Sequence, residues 1–325
     1  MKFLFKSILT LGILIGLNVI YQFYLFDVDV ARYADQYHQV MKVKDADVLY
    51  LSASSNFGAS DGSEAFPKKI SELLGDALPE TVRVEAINKP ASHLGVFCGY
   101  LALLPEDAEA ETLVVTVNLR SFGPDWVHSE LETALNQAAI FYNQRPPILN
   151  RLLLSLKAYD DSSIEERQAQ RKAAWDHDPL PFDAPQNIVT SWCAVEKWGD
   201  WRNPKRQLAD QFIKQYGFVL KENNERVKDL RRLITMASER QKTLILHILP
   251  ENIQTAEYLV GDDLSGLMRK NALWLMNTFS GKHVQWVNNL ELLDDTHFRD
   301  RDFPTEHYDA EGRRRIAERI RAEAF

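Results

Sequence analysis

The chain reads as an α/β protein built on a parallel sheet of about five strands with helices on both faces. Three observations predict this. Five short runs read as strands, the first of them, ADVLYLSA, apolar as a strand buried on both faces is. Helical spacing recurs between them, giving the strand-helix order of crossover units. With 325 residues, 45% of them hydrophobic and 26% charged, the chain has enough material for a large core.

The first element, MKFLFKSILTLGILIGLNVIYQFYLF, places Lys2 and Lys6 before an uncharged run from Ser7 to Phe26. That run is long enough to cross about 30 Å of hydrocarbon at about 1.5 Å per residue. A cleaved signal peptide would show a shorter apolar region and a small-x-small site, whereas bulky aromatics follow here. Residues 1–26 therefore read as an uncleaved single-pass anchor. The lysines place its start in the cytoplasm and the body outside, in the periplasm or at the cell surface. Tyr21, Phe23 and Tyr24 form an aromatic belt at the outer interface, and residues 27–45 are a helical connector.

From residue 46 to 325 the pattern is that of one α/β domain. ADVLYLSA reads as the first strand and EAFPKKISELLGDAL as a helix. VRVEAIN is the second strand, HLGVFCGYLALL the second helix, and ETLVVTVNL the third strand, β-branched at its centre. KTLILHILP and HVQWVNN supply two more strands, and DAEGRRRIAERIRAEAF closes the chain as a helix. Between the third and fourth strands lies an insertion at about 123–241 without an evident strand. It carries helical stretches at 129–144 and 146–161, then a segment with four prolines and four tryptophans, then one long helix or two over 205–241. There are no internal repeats.

The net charge is −8, and the basic residues are scattered, so nothing resembles a phosphate-backbone footprint and no nucleic-acid partner is expected. Cys98 and Cys193 are either a disulfide of an oxidising compartment or two buried thiols. His93, His128, His177, His247, His283 and His297 are dispersed, without a His-x-x-x-His pair, so no metal and no cofactor is expected.

In open parallel sheets the reactive groups gather at the carboxyl ends of the strands, where the strand order reverses. After the first strand, LSASSNF holds Ser54 at a sharp turn, where backbone N–H groups suit an oxyanion; a Ser-rich turn also serves as a plain helix cap. After the third strand, Asn118 offers an amide to an oxyanion and Arg120 a charge to a substrate, with Asn56 as a second substrate contact. Near the end, THFRDRDFPTEHYDAEG holds His307, with Asp302 and Glu306 as carboxylates to orient it.

The combination resembles the SGNH, or GDSL-type, serine hydrolases. LSASSNF puts Ser54 at the nucleophile position, with Ser52 and Ala53 where that family has Gly and Asp. TVNLRSF supplies the oxyanion asparagine as Asn118, and DFPTEHYDAEGRRRIA supplies His307 ahead of the last helix. The resemblance implies a flavodoxin-like three-layer α/β/α sandwich covering about 46–122 and 243–325. Pro304 stands three residues before His307, where the family has its aspartate, so Asp302, Glu306 or a bare Ser-His dyad remain open. The backbone donor after the second strand falls on Ala91, Ser92 or Gly95. An outward-facing anchored domain of this kind also resembles extracytoplasmic proteins of lipoteichoic-acid D-alanylation and alginate O-acetylation. That implies an acylated cell-envelope glycan or small ester as substrate and a membrane-bound O-acyltransferase as partner. Two functions follow: a serine esterase or O-acyltransferase, or an inactive accessory protein binding glycan, in which Trp192, Trp198 and Trp201 stack on sugars or else pack in the core.

Overall fold

The computed structural model describes residues 2–57, 67–178, 180–181, 186–188, 191–192, 198–200 and 202–325. In chain order, α1 (Lys2–Tyr24), α2 (Phe26–Tyr33) and α3 (Tyr37–Lys42) precede β1 (Val48–Ser52); α4 (Ile70–Ala77), β2 (Val84–Asn88), α5 (Leu94–Leu103) and β3 (Thr112–Val117) follow. Next come α6 (Pro124–Val127), α7 (Leu131–Phe141), α8 (Pro147–Ser155), α9 (Ile164–His177), β4 (Gln186–Ile188), β5 (Ser191–Trp192) and α10 (Pro204–Tyr216). The chain closes with α11 (Glu225–Glu239), β6 (Thr243–Ile248), α12 (Ile253–Leu259), α13 (Asp262–Thr278), β7 (Val284–Asn288) and α14 (Ala310–Ala324).

Five strands form one sheet in the order β2-β1-β3-β6-β7, and every neighbouring pair is parallel. This is the three-layer α/β arrangement expected from the sequence. The strand period of two sorts the side chains. Leu49, Leu51, Leu113, Val115, Leu244 and Leu246 pack in the larger core, which also holds buried residues of α5 and α11. Val48, Tyr50, Val114, Ile245 and Val287 pack in the core shared with α4 and α14. The central strands β1, β3 and β6 are largely apolar because both their faces are covered, whereas the edge strands β2 and β7 carry polar residues and are partly exposed. At the β2 edge, where carbonyls lack a ladder partner, the Gln39 amide donates to the Ala86 carbonyl (2.7 Å) and that of Gln36 to Asn88 (3.3 Å).

The insertion differs from the sequence reading in one respect: two short strands, β4 and β5, pair antiparallel. Strands of three and two residues are too short to show a period. Over 205–241 two helices form rather than one. α10 ends at Gly217, and Asn224 starts α11 by accepting the Arg226 N–H (2.9 Å). Among the described residues one helix, Phe3–Tyr24, is long and apolar enough to cross a membrane.

One polar pair sits inside the sheet layers. The Tyr50 hydroxyl lies 2.8 Å from His247 Nε2, and both residues are fully buried. Desolvation pushes the His247 imidazole down to about 3. Below about pH 6.5 the unfolded chain protonates this ring while the folded chain does not. Stability is therefore expected to fall as pH drops from about 6.5 towards 3, by up to about 1.4 kcal/mol per unit from this residue. Urea unfolding at pH 7 and pH 5 measures it; His247→Gln should show a flatter difference between the two, and an unchanged slope would refute the assignment.

Candidate functional site

β1 and β3 are neighbours, whereas β2 lies on the other side of β1, so the strand order reverses between β1 and β3 and the crevice opens at their carboxyl ends. β1 runs out through Ala53 into a single 3-10 turn, Ser54–Asn56. The first two N–H groups of that turn, on Ser54 and Ser55, have no acceptor among the described residues. Asn56 anchors the turn. Its Nδ2 donates to Asn88 Oδ1 (2.6 Å) and Ser71 Oγ (3.0 Å), and its Oδ1 accepts the Ser71 N–H (2.9 Å). Ser52 Oγ also donates to Asn88 Oδ1 (2.5 Å). The expectation that Asn56 contacts substrate is thereby corrected: the side chain is wholly buried and ties the turn to β2 and α4.

The second component comes from the far end of the chain. An antiparallel bridge between Phe298 and Tyr308 folds residues 298–308 into a hairpin-like loop ahead of α14. The Arg299 N–H donates to the His307 carbonyl (3.0 Å) and the Asp309 N–H to that of His297 (3.0 Å). The rings of Phe298 and Tyr308 meet edge to face at 5.6 Å, giving the loop an apolar foot. From this loop His307 Nε2 reaches Ser54 Oγ at 3.1 Å. His307 Nδ1 is hydrogen-bonded to Asp300 Oδ2 on the opposite arm. Ser54, His307 and Asp300 thus stand in the order hydroxyl, imidazole, carboxylate, although 253 positions separate the first two.

Asp300 takes the place that the sequence reading gave to Asp302 or Glu306. Asp302 is exposed on the loop. Glu306 turns inward, where its Oε1 lies 2.6 Å from Arg120 Nε and its Oε2 accepts from an Arg120 terminal nitrogen at 2.9 Å. Both side chains are less than one-tenth exposed. That also corrects Arg120 as a substrate contact: its guanidinium is buried, is paired with Glu306, and lies 4.7 Å from the Trp126 ring. Behind the pair, burial pushes the Glu251 carboxyl well up, with the Glu306 charge adding to it, and the Tyr216 hydroxyl donates to Glu251. Because removing one partner strands a buried charge, Glu306→Gln is expected to cost about 3–5 kcal/mol in urea unfolding. Asp302→Asn should fall within about 0.5 kcal/mol of the parent.

Asn118 directly follows β3 and is partly exposed. Its Oδ1 accepts the Arg120 N–H (3.1 Å), which fixes the amide plane and leaves Nδ2 without a partner among the described residues. Ser92 does not fit the donor role proposed for it, because its N–H donates to the Lys89 carbonyl (3.1 Å) and closes a turn. The Gly95 N–H is held by His93 Nδ1 (3.1 Å). Ala91, the middle of that turn, sits at φ 62°, a left-handed conformation in which a Cβ is strained. Its N–H has no acceptor among the described residues.

Trp198 donates from Nε1 to the Leu259 carbonyl (2.8 Å), and its ring packs 5.1 Å from that of Tyr258, so it serves packing. The side chains of Trp192 and Trp201 lie outside the described residues, as does Cys193. Cys98 is buried and donates to the Asp229 carbonyl (3.4 Å); burial pushes its thiol up to about 12.

Sequence reasoning missed Asp300 and Asn88. The signal for Asp300 was the apolar pair Phe298 and Tyr308 framing a polar stretch, which places the two arms of a hairpin side by side. No comparable signal marks Asn88.

No protein-family model matches the chain, and no curated protein does. Solved structures to which it is similar include a carbohydrate acetylesterase family member from Sinorhizobium meliloti, with 12% identity, 86% of this chain and 96% of that one covered, and a TM-score of 0.37. A variant of an acetyl-xylooligosaccharide esterase from Geobacillus Stearmophilus shares 10% identity over 88% of this chain and 97% of that one, at a TM-score of 0.39. A GDSL-like lipase from Bacteroides thetaiotaomicron shares 9% identity over 90% and 95%, at 0.36.

Proposed function

We propose that the chain is a serine esterase or O-acyltransferase of the SGNH kind, held at a membrane by α1 and acting on an acylated cell-envelope glycan or a related ester. The observation that carries the reading is the 3.1 Å contact of His307 Nε2 with Ser54 Oγ, with Asp300 on the other ring nitrogen. Ser54 Oγ attacks the ester carbonyl as Nε2 takes its proton, and Nε2 then returns the proton to the departing alkoxide, leaving an acyl-Ser54. Water, or an acceptor hydroxyl, repeats the sequence in reverse. Asp300 keeps the proton-bearing Nδ1 directed at itself, so that Nε2 stays available as base.

The N–H groups of Ser54 and Ala91 and the Asn118 amide serve as oxyanion donors, each contributing about 3 kcal/mol. The free amide of Asn118 and the unpaired N–H in the strained Ala91 turn support this assignment. Lys2 and Lys6 in the first turns of α1, ahead of its uncharged run, support a cytoplasmic N-terminus, with the body on the outer side of the membrane.

Hydrolysis of p-nitrophenyl acetate and longer p-nitrophenyl esters by the detergent-solubilised full chain tests the reading. Turnover is expected, and adding an alcohol acceptor should divert product from acid to ester if transfer is the native reaction. No turnover, together with no acyl-enzyme by mass spectrometry, would refute it.

A further inference from the structure

We infer that α8 lies in the outer leaflet beside α1, so that the body is seated in the bilayer on a second apolar element rather than tethered above it. The inference rests on the reading of α1 as a membrane-spanning helix. α8 and its C-cap carry Leu149, Leu152 and Leu156 at i, i+3 and i+7, one stripe of an amphipathic helix. All three face outward, at 41%, 50% and 67% exposure. A stripe of this kind on a short surface helix calls for an apolar neighbour.

What identifies that neighbour is how α8 joins α1. The Ile148 N–H, in the first turn of α8, donates to Asn18 Oδ1 inside the apolar run (3.0 Å). Asn18 lies six residues before the end of α1, about 9 Å along the axis. An amide at that depth in hydrocarbon is costly without a partner, and so is an uncapped helix N–H. Here the Asn18 carbonyl oxygen and the Ile148 N–H satisfy each other. The depth matches the roughly 5–10 Å to which interfacial helices sink.

The joint is fixed from a second side. The Tyr21 hydroxyl donates to Asp29 Oδ2 (2.7 Å), and Arg151 of α8 donates to Asp29 Oδ1 (3.2 Å). Tyr21 is buried against Phe26 and Asp29 of α2, and Arg151 of α8 bonds the same carboxylate, so α1, α2 and α8 meet in one joint. α1 itself is apolar and exposed at this level, with Ile20 and Phe23 at 55% and 77%, so a stripe held beside Asn18 would meet the same acyl chains.

The test uses full-length protein in vesicles containing phosphatidylcholine brominated near the top of its acyl chains. Leu152→Trp, Ile20→Trp and Leu273→Trp are compared with the parent by the emission each added indole contributes; Leu273 is exposed on α13. Leu152→Trp is expected to lose most of its added emission, as Ile20→Trp does, while Leu273→Trp keeps its own. If Ile20→Trp is quenched and Leu152→Trp behaves like Leu273→Trp, the inference is overturned with the anchor intact, and the stripe belongs to a protein partner. If neither Ile20→Trp nor Leu152→Trp is quenched, the anchor reading fails and takes the inference with it.

Discussion

Ester turnover by Ser54→Ala is expected to fall by about ten-thousandfold or more, to the residue left by binding and oxyanion donors alone. His307→Ala should fall as far, and the double variant no further than either single one, because hydroxyl and imidazole act as one unit. Substitution at Ser54 deletes one half-buried oxygen and leaves the Asn56 clamp beneath it untouched, so the unfolding midpoint should not move. Initial-rate kinetics with p-nitrophenyl esters, paired with urea unfolding of the same preparations, separate lost chemistry from lost fold. Losses that multiply in the double variant would mean that the two residues act independently.

Asp300→Asn is expected to lower kcat by about a thousandfold, since an amide holds the imidazole in the wrong tautomer or loses its orientation. The side chain is about half exposed, and water screens part of its charge, which places the loss below that of a fully buried carboxylate. Asp302→Asn, two residues away on the same loop, should stay within about twofold of the parent. Glu306→Gln loosens the loop from below and should register mainly as stability. This trio distinguishes an orienting carboxylate from its acidic neighbours in a way that alanine at any one position does not. Equal losses at Asp300 and Asp302 would place the orienting charge in the loop as a whole.

The sheet was legible because a strand buried on both faces has a signature of its own: an unbroken apolar run such as VLYLS or LILHI, bounded by turn residues. From the sheet the site followed. Strand ends at a reversal of strand order collect reactive groups, and Ser54, Asn118 and His307 all lie on such ends or on the loop facing them. What local spacing does not carry is the fold of a loop. Asp300, Asp302 and Glu306 are equivalent in composition, and the Phe298–Tyr308 pairing decides that the first faces the ring, the second solvent and the third the core. Arg120 and Asn56 misled for a related reason. Polar residues beside a site read as substrate contacts, yet here each is spent inside the protein, one on Glu306 and one on Asn88. The pairing of β4 and β5 was beyond reach because its strands are shorter than the period that would reveal them.

The most direct measurement is peptide mapping after reaction of the full chain with a fluorophosphonate, which captures only a serine whose hydroxyl a neighbouring base has activated. A single adduct on Ser54, absent from His307→Ala, is the expected result. An adduct on Ser52, Ser55 or Ser92, or labelling of Ser54 that survives loss of the imidazole, would contradict the account.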